Sequence, residues 1–274
     1  MRVDAHQHFW NYDPQRYGWI TDDMQVLQKS YLPDDLAPLL AKHQLAGCVA
    51  VQADQSETET NFLLSLAHQH AFIKGVVGWI DLRAAGLKAR LAHYQSFPLL
   101  KGFRHLVQGE PDGFLSDKKF IAGVKLLAQY DYTYDLLVYH HQLPAALAFV
   151  NELPQVNIVI DHIAKPSIRT GEKTKWELNM AALSTFPNVY CKVSGMVTEA
   201  DWQRWKPQDF FPYLDELMET FGPQRLLYGS DWPVCLLASS YQQQYDALQL
   251  YINQLSAAEQ HAIMGENAVR FYKL

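Results

Sequence analysis

His6 and His8 stand one residue apart at the end of a short apolar run, Met1-Arg-Val-Asp-Ala-His-Gln-His8. Residues two apart in an extended strand share a face, so both imidazoles can reach one cation or one substrate atom. The structural alternative is one hydrogen-bonded core histidine followed by one in a loop. Further along, Asp161-His-Ile-Ala-Lys-Pro166 sets His162 just past an apolar run, and Tyr228-Gly-Ser-Asp-Trp-Pro233 does the same for Asp231. A carboxylate beside imidazoles can take and return a proton, whereas the structural alternative for Asp231 is an N-cap. Alternation turns Asp161 away from His162, as a hydrogen-bond acceptor of the frame. Arg104-His105 and His140-His141 are adjacent pairs, and in each only one member faces inward; the sequence leaves open which. Arginine at such a place suits a carboxylate or lactone oxygen. Gln52, Asp81 and Ser194 also fall at run ends, with structural and functional readings equally open for Gln52 and Asp81.

These residues share a position in the pattern. Apolar runs of strand length at 1–8, 47–52, 73–80, 100–106, 136–139, 156–160, 189–193 and 225–228 alternate with helical periodicity at 34–45, 57–70, 84–94, 116–130, 144–153, 175–186 and 210–221. The remainder is helical. Eight strands alternating with helices predict parallel βα units, and at 274 residues a closed (β/α)8 TIM barrel is favoured over an open doubly wound sheet. No Gly-x-Gly-x-x-Gly follows the first run, so a dinucleotide fold would lack its phosphate loop. A barrel gathers functional groups at the carboxyl ends of its strands, which is where the histidines, Arg104 and Asp231 fall. The expected organisation is one domain over 1–274, with an elaborated first loop at about 11–33 carrying Tyr12, Tyr17, Trp19 and Tyr31.

Composition narrows the classes further. A hydrophobic share of 49% and a charged share of 19% are ordinary for a soluble enzyme, and no run approaches the roughly 18 apolar residues of a membrane span. A net charge of -6 without a basic cluster argues against nucleic acid as partner. The histidine pair begins too early for a signal peptide, so the expected location is cytoplasmic. Cys48, Cys191 and Cys235 form no paired motif and read as small buried hydrophobes. A centre bridged by a modified lysine needs Lys at the end of strand four or five, and the only lysine nearby, Lys101, starts strand four. At most one divalent ion is therefore expected, on His6 and His8 with another His or Asp231, zinc being the favoured metal, with an open position for water.

His-Gln-His-Phe-Trp10, Gly102-Phe-Arg-His105, Asp161-His-Ile-Ala-Lys-Pro166, Tyr228-Gly-Ser-Asp-Trp-Pro233 and Gly265-Glu-Asn-Ala-Val-Arg-Phe-Tyr272, in that order, resemble the amidohydrolase-related metal-dependent hydrolases. The resemblance spans nearly the whole chain and is to the sugar lactonase branch, the L-fuconolactonase and L-rhamnonolactonase type. It implies a (β/α)8 barrel, lactone hydrolysis and Asp231 as general base. Members of the branch differ in using a divalent metal at all, so metal-independent catalysis stays open. On that reading the catalytic residues are Asp231 and His162, and His6, His8 and Asp231 hold the metal if one binds. Arg104, His105, His140 or His141 would bind hydroxyls, and Trp10 and Trp232 would cover the ring and methyl. The implied partner is a small-molecule sugar lactone, with a homo-oligomer left open. Rival readings are a decarboxylase or pyrone-dicarboxylate lactonase of the same superfamily, both of which call for more arginine than the strand ends offer, and a non-catalytic sugar-binding protein.

Overall fold

The computed structural model describes all of residues 1–274. Its eight strands are β1 (Val3–Gln7), β2 (Gly47–Val51), β3 (Ile73–Gly78), β4 (Leu100–His105), β5 (Thr133–Leu136), β6 (Ile158–Ile160), β7 (Val189–Val193) and β8 (Leu226–Tyr228). Each pairs in parallel with the next in chain order, and helices such as Glu57–Gln69 and Phe211–Thr220 lie between them. The ring closes where β8 meets β1, through a parallel bridge between Gln7 and Trp232. This is the (β/α)8 barrel that the alternation predicts.

The core has two parts. A large cluster fills the layer between strands and helices, where Phe103, Tyr134 and Ile160 point outward from the sheet. A smaller one, including Ala5, Val51, Val77, Val159 and Leu227, plugs the barrel interior together with Phe271 and Tyr272 of the last helix, Asn267–Tyr272. Above this plug the inward positions turn polar: Arg104 on β4, Asp135 on β5 and Lys192 on β7 are all buried. No helix is long and apolar enough to cross a membrane.

Two expectations need correction. The fifth strand is Thr133–Leu136 rather than 136–139; its inward Asp135 interrupts the apolar run by which a strand is recognised. Asp161 does not turn away. It continues the alternation of β6 in phase with inward-facing Val159, so it enters the barrel, and His162 reaches the same side by another route.

Candidate active site

That route is a backbone turn. His162, Ile163, Ala164 and Lys165 have φ of 53, 49, 58 and 48°, four consecutive residues in the left-handed region, where non-glycine residues are uncommon and costly. Trp176 Nε1 donates to the Ile163 carbonyl at 2.6 Å and the His140 Nδ1–H to the Lys165 carbonyl at 2.8 Å, and both bonds hold the turn. Gly195 backs it: its φ is +64° and a Cβ there would lie 2.6 Å from His162 Nδ1. Asp231 is also left-handed, at φ 56°, and is fixed by the β8–β1 seam. Its N–H donates to the His6 carbonyl at 2.8 Å, and the His8 N–H donates to the Trp232 carbonyl at 2.7 Å. Asp4 Oδ1 ties the same seam by accepting from the Ser230 and His6 N–H groups at 2.9 and 3.2 Å.

The seam and the turn bring four side chains together. Asp231 Oδ1 lies 3.4 Å from His8 Nε2, 3.7 Å from His162 Nε2 and 3.9 Å from His6 Nε2. Burial alone would raise the Asp231 carboxyl, but the nearby imidazoles of His162 and His8 outweigh it and hold the group below its ordinary range. Burial disfavours charge on the imidazoles: His6 and His162 lie well below 6.5 and His8 is also lowered, with Lys192 adding to the effect at His6. His8 Nδ1 is 2.7 Å from the Val51 carbonyl, which can only accept, so Nδ1 carries the proton and Nε2 turns a lone pair toward a carboxylate oxygen. Two lone pairs facing each other at 3.4 Å call for a proton or a cation between them. The second nitrogen of a metal-bound histidine is usually held this way. His6, His8 and Asp231 each offer one ligand atom within 4.8 Å of the others, so the donor set fits a divalent ion.

Beneath this floor His6 is embedded in charge. Arg104 Nη1 is 3.2 Å from His6 Nε2 and donates to Asp161 Oδ2 at 3.1 Å. Lys192 Nζ is 3.1 Å from His6 Nδ1, 3.0 Å from Asp161 Oδ1 and 2.5 Å from Asp135 Oδ2, which also accepts from the Tyr272 hydroxyl at 2.8 Å. Two buried cations thus face two buried carboxylates, the pairing that buried charge requires. The sequence reading missed Lys192 and Asp135. An isolated charge within each strand was the only signal, and it becomes meaningful once the register turns both inward.

The cavity above encloses about 420 Å³ and is lined by His8, His162, Asp231 and Arg104 together with residues of the surrounding loops. His6 is fully buried below it. Other expected contacts lie elsewhere. His105 faces outward, stacked on Phe114 with its ring centroid at 4.8 Å and hydrogen-bonded to Glu110 at 2.7 Å. His140 braces Lys165, and exposed His141 stacks on Tyr139. Trp10 and Trp232 are buried behind the wall, packed against Tyr31. The tryptophans on the cavity are Trp19 and Trp202, each 36% exposed. Asp81 is an exposed turn residue bonding the Arg83 N–H at 2.9 Å, Gln52 donates to the Arg104 carbonyl at 3.1 Å, and Ser194 meets His162 Nδ1 at 2.9 Å.

A family model described as amidohydrolase matches residues 3–274. The chain belongs to the amidohydrolase family. Among curated amidohydrolase relatives, an L-fucono-1,5-lactonase of Burkholderia multivorans is 43% identical, covering 100% of this chain and 96% of its own. An L-fucono-1,5-lactonase of Burkholderia ambifaria is 34% identical over 100% of this chain and 96% of its own. A crystal structure of a Burkholderia multivorans amidohydrolase with bound zinc superposes with a TM-score of 0.97 at 43% identity, over 100% of this chain and 99% of that one.

Proposed function

We propose that this amidohydrolase opens a neutral sugar lactone, L-fucono-1,5-lactone or a close relative, to the aldonic acid in the cytoplasm. The observation that carries the reading is the Asp231 carboxylate, held ionised at the cavity floor with three imidazoles within 3.9 Å. Full-length similarity to two L-fucono-1,5-lactonases supports the substrate class. The three cysteines, all buried and unpaired, accord with a reducing compartment.

Asp231 takes a proton from the attacking water as its oxygen bonds to the lactone carbonyl carbon. The tetrahedral carbon then expels the ring oxygen, and Asp231 returns the proton to it, leaving a carboxylic acid and a free hydroxyl. His162, its Nδ1 on Ser194 Oγ at 2.9 Å, presents Nε2 to the same region and orients water or the developing oxyanion. Arg104 supplies fixed positive charge at the cavity wall, the kind of preorganised group that contributes most to such reactions. His6, His8 and Asp231 would hold a single zinc ion. Bound there, such an ion polarises a carbonyl and lowers the pKa of water.

Acid release from a panel of lactones tests the reading. L-fucono-1,5-lactone and L-rhamnonolactone should turn over faster than pyrone dicarboxylate and unsubstituted butyrolactone, while an aromatic acid should yield no CO2. A dicarboxylate as best substrate, or decarboxylation, would overturn it.

A further inference from the structure

The two backbone segments that build the catalytic imidazole also build a second polar feature of the cavity. Lys165 ends the left-handed turn that begins at His162. Glu199 ends the short helix Met196–Glu199 that follows Gly195, the residue touching His162. Lys165 Nζ meets Glu199 Oε1 at 2.8 Å with both side chains mostly buried, 15% and 20% exposed, and both on the cavity wall. Neither group is needed for the proton transfers described above.

The charges around the cavity are matched. Arg104 is opposed by Asp161 at 3.1 Å and Lys165 by Glu199 at 2.8 Å, while Asp231 adds a further negative charge. An anionic ligand would find no uncommitted cation and two carboxylates. A hydroxyl is both donor and acceptor, so neighbouring hydroxyls on one ring can accept from an ammonium and donate to a carboxylate simultaneously. Charge-assisted bonds of this kind are about twice as strong as neutral ones. Trp19 and Trp202 supply apolar surface for the carbon face of a ring.

We infer that the Lys165–Glu199 pair is the specificity element of the site, reading a vicinal diol on a neutral ring and rejecting carboxylated lactones. The choice of ring rests on the lactone reading above, but charge selectivity is measurable without turnover.

Binding of two probes to wild type, Glu199→Gln and Lys165→Gln, followed by calorimetry, tests it: L-fuconolactam, a neutral ring that resists hydrolysis, and pyridine-2,4-dicarboxylate. Wild type should bind the lactam and prefer it to the dicarboxylate. Glu199→Gln frees the Lys165 charge, so lactam binding should weaken tenfold or more while dicarboxylate binding strengthens by at least as much. Lys165→Gln should weaken the lactam equally without that gain, and it decides the matter alone if Glu199→Gln fails to fold by circular dichroism. Valerolactam, which has no hydroxyls, should bind all three proteins alike. The inference falls if wild type does not bind the lactam, or if a folded variant keeps the lactam-to-dicarboxylate ratio within threefold of wild type. Failed hydrolysis of L-fucono-1,5-lactone by wild type, with the selectivity switch intact, would instead overturn only the hydrolytic reading.

Discussion

The Asp231 N–H donates to the His6 carbonyl at 2.8 Å, so the bond that closes the barrel also sets the carboxylate beside the imidazole. The seam between the last strand and the first is irregular, a bridge and a few hydrogen bonds. That irregularity leaves Asp231 in a left-handed conformation, with its side chain over the barrel mouth. Seam and site are one structure, and the first two predictions separate their contributions.

Asp231→Asn should preserve the fold and bind lactam near wild-type affinity, while kcat for L-fucono-1,5-lactone falls by roughly 10²–10⁴, the usual share of a general acid–base group. Acid release and circular dichroism measure the two quantities. Retention of more than a tenth of wild-type kcat would exclude Asp231 as the proton carrier.

Asp4 supports the seam without touching the cavity. Burial pushes its carboxyl up to about 6, although bonds from Ser230, His6 and Tyr241 lower it. A carboxyl raised in the folded state gives most stability below its unfolded value of 3.8, and that contribution is lost as pH rises through 6. Asp4→Asn keeps an oxygen for the Ser230 and His6 N–H groups but sets an NH2 donor where Oδ2 accepts from the Tyr241 hydroxyl at 3.1 Å, and it also removes this penalty. The variant should be less stable by roughly 1–3 kcal/mol at pH 4, with the gap narrowing toward pH 7. Denaturant titrations at the two pH values measure it, and a gap that widens would refute the assignment.

Much of this frame can be read from the chain, because parallel βα units announce themselves as alternating apolar runs and helical periods. The site is less legible, for local reasons. Strict alternation gives Arg104 inward and His105 outward only once the phase of β4 is known. It fails at β1, where Ala5 packs in the barrel plug while His6 meets inward-facing Arg104 and Lys192; the register shift between Asp4 and Gln7 lets both enter. It fails again at His162, which a left-handed turn swings to the side that Asp161 already occupies. Trp10 and Trp232 flank the histidine and aspartate motifs in sequence, yet the first loop folds back and buries them against Tyr31. No local pattern distinguishes them from Trp19 and Trp202.

Gly195→Ala should damage catalysis more than stability. The left-handed backbone costs a side chain about 1–2 kcal/mol, and the added methyl would sit 2.6 Å from His162 Nδ1. Displacing a catalytic group by about an ångström can cost on the order of 100-fold in rate. A kcat loss of at least tenfold with a modest drop in Tm is expected; unchanged kcat would show that the His162 ring is free to adjust.

Metal content follows from the donor geometry. Lys192 already meets His6 Nδ1 and Asp161 Oδ1 on the far side of His6, and Arg104 holds the other Asp161 oxygen, so a second cation there would be repelled. Elemental analysis of protein grown with zinc should give no more than one equivalent per chain, and His8→Gln should lower it. Two equivalents in wild type would contradict the single-site assignment.

The last prediction concerns pH and follows from the imidazoles. His6, His8 and His162 are all held below 6.5, chiefly by burial. A histidine whose folded pKa is depressed binds protons more readily when unfolded, so stability is full above 6.5 and declines as pH falls below that value. The same protonations would fill the lone pairs that face Asp231 and raise the local positive charge. kcat/KM for L-fucono-1,5-lactone should therefore be flat from about pH 6.5 to 8, with its acid limb entirely below 6.5. Asp231 does not set that limb, because its carboxyl lies below the ordinary 3.8 and stays ionised throughout. The Asp4 trend runs in the opposite direction between pH 4 and 6, so Asp4→Asn should show the steeper acid loss of stability. A limb centred at or above pH 7 would mean that an imidazole works in its charged form, and His162 would then be the residue to reassign as the acid.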